Sequence, residues 1–238
     1  MQFSTRFFSL LLLSITASAA DWSVWAPRKE AEPVSASFKD GGHEGKDRLI
    51  LETEAGEHWI GCWTSTVPVE GGKHYQFSTW RKHSPMSNAR RCVYARVIWQ
   101  DAQGKAVTWE EPAKQGYAKG TVPRAEPEYP RDPGGEANKW ARYESVLRTP
   151  LAAKQARIEL YLQWVPKARV EWSDVQLTQV PAPASRKVKL ATIHLLPKEG
   201  KNPADKPPQY APLIAEAAKQ KADLVVLGET LTYYRTGK

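Results

Sequence analysis

From about residue 22 to 178, apolar and polar residues alternate with a period of two in short runs rich in β-branched and aromatic side chains. In Arg157–Trp164 (RIELYLQW), Ile158, Leu160, Leu162 and Trp164 fall on one face and Glu159, Tyr161 and Gln163 on the other. That is the pattern of a half-buried antiparallel strand. Similar runs are Arg48–Thr53, His74–Trp80, Cys92–Gln100 and Arg169–Leu177. Gly41-Gly42, Gly71-Gly72 and the stretch 101–104 (DAQG) punctuate them as turns. Many short strands with such turns predict a β-sandwich or jelly roll. Trp80, Trp99, Trp164 and Trp172 lie on these strands and are expected in its core.

The pattern breaks twice. Glu110–Asn138 holds five prolines and four glycines without periodicity and is read as a long loop at one end of the sandwich. Residues 179–187 (QVPAPASRK) read as an extended linker. After it, Val188–Leu196 and Leu224–Leu227 are apolar enough for buried strands, and Leu213, Ile214, Ala217 and Ala218 recur at helical spacing between them. Strand, helix and strand in about 40 residues imply a parallel βαβ unit. All ten tryptophans precede the linker, which supports a domain boundary there. The expected division is therefore a leader at 1–20, a β-sandwich at 21–178, a linker at 179–187 and an α/β segment at 188–238.

The leader is read from Arg6, the apolar run 7–15 and the small residues of TASAA. This is the form of a cleaved secretory signal, implying a secreted or periplasmic protein. The net charge of +8 is spread along the chain with acidic residues interspersed, so no nucleic-acid partner is expected. An oxidising compartment permits a Cys62–Cys92 disulfide, and two buried free thiols are the alternative. The five histidines, His43, His58, His74, His83 and His194, have no metal-ligand spacing, so no metal is expected.

Two resemblances add to this reading. KVKLATIHLLP (187–197) with AAKQKADLVVLGETLTYYRTGK (217–238) resembles the opening of the nitrilase, or carbon–nitrogen hydrolase, family. The resemblance covers about 50 residues. It implies an αββα fold and a Glu–Lys–Cys triad that hydrolyses an amide, nitrile or carbamoyl C–N bond without a cofactor. Glu229 matches the triad glutamate, the general base. Gly228 stands where the family has Pro, and His194 where its strand often has Gln. The triad's Lys and Cys are absent, so this chain alone is expected to be inactive. The resemblance also implies a homo-oligomer for the complete enzyme.

The front segment resembles galactose-binding-like jelly rolls, on W-x-S-x-V-P-V-E-G-G-K-x-Y-x-F-S-x-W (63–80) and on 140–144, 149–161 and 170–177. Such folds host many functions. Sugar binding through aromatic faces would give a polysaccharide partner, with Trp109, Tyr117 and Tyr129, at or inside the long loop, as candidates. Packing onto the second domain is the other role considered. The alternative for the whole chain is a secreted, non-catalytic carbohydrate-binding module with a vestigial tail.

Overall fold

A computed structural model describes residues 14–16, 22–110, 124–229 and 231. The chain forms two compact units, 1–182 and 183–238, which divide inside the stretch read as a linker. Among the described residues, no helix is long and apolar enough to cross a membrane.

The first unit is a β-sandwich of two antiparallel sheets. Its strands are β1 (Ser14–Thr16), β2 (Ser23–Trp25), β3 (Val34–Phe38), β4 (Arg48–Glu52), β5 (Ile60–Pro68), β6 (His74–His83), β7 (Val93–Gln100), β8 (Ala141–Arg148), β9 (Gln155–Gln163) and β10 (Arg169–Val180). A single helical turn, α1 (Ala89–Cys92), leads into β7. One sheet has the order β3-β4-β10-β6-β8, with β1 pairing on β10. The other has the order β2-β5-β9-β7. Ser14–Thr16, part of the expected leader, thus pair with Gln176–Thr178 of the sheet.

Alternation sorts the side chains between faces. Leu49, Leu51, Phe77, Trp172 and Leu177 of one sheet meet Trp63, Val97, Trp99, Ile158, Leu160 and Leu162 of the other in a single core. Trp99 and Trp172 are buried as expected. Trp164 is not: it is 47% exposed and has φ of 53°. The left-handed residue directly after β9 ends the strand's alternation, so the fourth apolar position turns outward. Trp80 is only half-buried, stacked on His43 with ring centroids 3.6 Å apart.

Gly71 and Gly72 form the β5–β6 turn. A Cβ on Gly71 would lie 2.0 Å from the Leu151 carbonyl oxygen, so only glycine fits there. In the region read as one long loop, part of the chain adds to the sheet instead. Val97 and Glu128 exchange backbone hydrogen bonds of 2.8 Å, placing Glu128 and Tyr129 alongside β7.

The second unit contains β11 (Leu190–Ile193), α2 (Ala211–Lys219) and β12 (Leu224–Leu227). β11 and β12 pair in parallel. The expectation that both strands are buried is corrected: Leu190, Leu224 and Val226 are exposed. Parallel sheets bury both faces only when helices cover both, and one short helix cannot do that for two strands. An αββα arrangement is not seen among the described residues.

Candidate functional site

The register of the four-stranded sheet writes a site on its outer face. Trp25 pairs with Cys62, Cys62 with Tyr161, and Tyr161 with Tyr94. These four side chains therefore form one row across β2, β5, β9 and β7. The adjacent row is Ser23, Thr64, Glu159 and Arg96, and Arg157 follows Glu159 along β9. Each row spans three interstrand spacings, about 15 Å.

These residues hold one another. Arg96 donates from Nε to Glu159 Oε2 at 2.5 Å and from Nη2 to the Tyr161 hydroxyl at 2.8 Å. The Tyr161 hydroxyl donates to Glu159 Oε2 at 3.1 Å. Arg157 Nε lies 2.9 Å from Glu159 Oε1 as an ion pair without hydrogen-bond alignment. Tyr94 stacks on Tyr161 at 4.7 Å, with the rings 12° apart, and its hydroxyl donates to Gln163 Oε1 at 3.2 Å. Glu159 and Tyr161 are only 4% and 2% exposed. A buried carboxylate requires such partners, and here two guanidiniums and a phenol supply them.

Burial and the neighbouring charges shift several groups. Burial pushes the Cys62 thiol up to about 12, with Glu159 adding to the effect. Burial likewise raises Tyr94 to about 12 and raises Tyr161. Burial works against the charge on Arg96, but the hydrogen bond and charge of Glu159 outweigh it and raise its pKa. The network is therefore a fixed set of donors and acceptors at neutral pH.

Above it lies a cleft of about 260 Å³ lined by Trp25, Thr64, Arg96, Arg157, Glu159 and Tyr161. A second cleft of about 280 Å³ includes Tyr94, Tyr129, Arg90 and Arg131 in its lining. The Tyr94–Tyr161 stack joins the linings of the two. Exposed aromatic faces beside fixed polar groups are suited to a ligand with both apolar faces and hydroxyls.

Of the residues singled out from sequence, Tyr129 lines the second cleft, is 58% exposed and lies 5.9 Å from Tyr94. Trp109 packs against the core, half-buried, with the Arg148 guanidinium 5.7 Å over its ring. Tyr117 lies outside the described residues. Cys62 and Cys92 are free buried thiols, so the disulfide alternative is set aside. Among the described residues, no group of three or more His, Cys, Asp or Glu could hold a metal. Glu229 is exposed and is not among the described residues that line a cleft beside β11 and α2.

Sequence reading missed Trp25, Arg96, Arg157, Glu159 and Tyr161 as site residues. A signal was present: Cys92–Gln100 and Arg157–Trp164 each carry a tyrosine and a charged residue on the same polar face.

No family model and no curated protein sequence matches this chain. The fold is similar to solved structures at low identity. The enzymatically active domain of bacteriophage CBA120 tailspike protein 4 is 16% identical with a TM-score of 0.50, over 68% of this chain and 20% of that one. The CBM22-1–GH10 modules of Clostridium thermocellum xylanase 10B, complexed with xylohexaose, are 11% identical with a TM-score of 0.46, over 85% and 35%. The CBM22-1 xylan-binding domain of Paenibacillus barcinonensis Xyn10C is 13% identical with a TM-score of 0.43, over 72% and 95%. The chain thus spans about a fifth and a third of the first two.

These findings correct the expectation of a carbon–nitrogen hydrolase. No family model supports it, and the structural match that reaches a TM-score of 0.50 is a tailspike domain. The triad role of Glu229 was implied by that resemblance alone and is left without support. The amide, nitrile or carbamoyl substrate and the homo-oligomer are likewise unsupported. What misled was a short βα-β pattern: buried-looking strands and a carboxylate after them recur in many α/β segments.

Proposed function

We propose that the sandwich is a carbohydrate-binding module whose ligand lies across the outer face of the four-stranded sheet. The observation that carries this reading is the row Trp25–Cys62–Tyr161–Tyr94 beside the Thr64–Glu159–Arg96 row. It sets an exposed indole, 47% accessible, at one end of a polar network already held in place. The indole would stack on the apolar face of a pyranose, and Thr64, Arg157 and Glu159 would bond its hydroxyls. Because the donors are fixed by their neighbours before binding, little ordering cost remains. A leader at 1–20, cleaved with the loss of β1, would deliver such a module to the periplasm or beyond the cell.

Affinity electrophoresis against neutral and acidic polysaccharides, xylan included, tests the reading. Retardation by at least one polymer is expected. Trp25→Ala should weaken that binding by about tenfold or more, the cost of truncating an aromatic anchor. The melting temperature should be unchanged, because Trp25 is exposed on an edge strand. No retardation by any polymer, or unaltered binding by the variant, would overturn it.

A further inference from the structure

The charge balance of the outer face is uneven. Among the described residues lining the first cleft, Arg96 and Arg157 face one carboxylate, that of Glu159. Among the described residues lining the second, Arg90 pairs with Asp132, which is also paired with the buried Arg81 at 3.6 Å, and Arg131 is a further cation. Among the described residues, each lining therefore has one cation more than its carboxylates balance.

The arginines are not equivalent. Arg96 is committed, with Nε on Glu159 and Nη2 on Tyr161. Arg157 meets Glu159 through Nε, and its side chain is 40% exposed. Its two terminal NH₂ groups are tied to no other described residue. A guanidinium held at one corner beside a cleft is set to accept a planar carboxylate across its free edge. Arg90, 78% exposed, offers a second cation on the far side of the Tyr94–Tyr161 stack. A neutral sugar would leave both surplus charges unmatched, whereas an acidic one would neutralise them.

We propose that this face binds a polysaccharide bearing carboxylates, a uronic-acid-containing chain, with Arg157 meeting a uronate in the first cleft. The inference rests on the carbohydrate-binding reading and narrows it. The aromatic row supplies contacts common to any pyranose, and the arginines supply the selection.

The test is a comparison of polygalacturonate with its fully methyl-esterified form, and of a glucuronic-acid-bearing xylan with its carboxyl-reduced form, on the intact chain by affinity electrophoresis and calorimetry. At least one acidic form should bind about tenfold more tightly than its neutral counterpart, the low end for a hydrogen bond to a charged group. Added salt should shrink that ratio. Arg157→Gln should bring the ratio towards one, and Arg157→Lys should keep part of it by restoring the charge without the planar fork. Equal binding of acidic and neutral forms would overturn the uronate inference and leave sugar binding standing. Binding of neither form of any polymer would remove both. The esterification comparison uses the unaltered protein, so a variant that fails to fold does not decide the matter.

Discussion

At the residue scale, a carboxylate with 4% exposure needs matched partners, and Glu159 has them in Arg96, Arg157 and Tyr161. The same burial sets an alkaline limit on the fold. The ordinary values are 9.0 for the Cys62 thiol and 10.0 for Tyr94 and Tyr161. In the folded state burial lifts Cys62 and Tyr94 to about 12 and raises Tyr161 as well. Below pH 9 the folded and unfolded chains both hold these protons, and the contribution to stability is intact. Above pH 9 the unfolded chain releases them first, so it binds fewer protons and stability falls with rising pH. Thermal melts followed by circular dichroism should show a falling midpoint from pH 9 upward. A flat midpoint across pH 9 to 11 would contradict the burial of these groups. In the folded state at pH 8, Cys62 should resist iodoacetamide, because the thiolate is the nucleophile.

At the element scale, joints between strands carry polar groups that the core cannot leave unmatched. Thr53 follows β4, and its hydroxyl donates to the Val165 carbonyl at 2.7 Å and accepts from the Ala168 amide at 3.0 Å. It thereby ties the end of β4 to the β9–β10 connection. Thr53→Val keeps the shape but strands both partners in a buried place. The expected loss is about 2 kcal/mol by urea denaturation, and an unchanged midpoint would show that the joint is not stabilising. Alternation made β4, β6, β7, β9 and β10 legible in the sequence, because a period of two survives wherever one face is buried. β10 was legible only to Leu177. Its register shifts between Ser173 and Gln176, where Asp174 has φ of 52°, and the strand continues to Val180. A bulge adds a residue and breaks the period, so alternation alone could not follow it.

At the scale of the whole molecule, the sandwich is built from distant pairings: Glu52 opposite Arg169, Trp63 opposite Leu160, and Tyr75 opposite Leu147. Such topologies close long loops before contacts reward them, and they fold slowly. Stopped-flow refolding, followed by tryptophan fluorescence through buried Trp99 and Trp172, should show its main phase in milliseconds to seconds. A main phase in microseconds would contradict the topology. The sequence by itself determined the all-β character of the first unit, half of its described strands, the glycine turn at 71–72 and the change of pattern near residue 180. These are local properties, written in periodicity and turn chemistry. Only the tertiary structure decided which strands neighbour one another, and with that where Trp25, Arg96, Arg157, Glu159 and Tyr161 meet. Those residues come from β2, β7 and β9, and a one-residue slip would turn each strand's set to the opposite face. The candidate site is a product of register, which depends on the whole sheet and on no single segment of the chain.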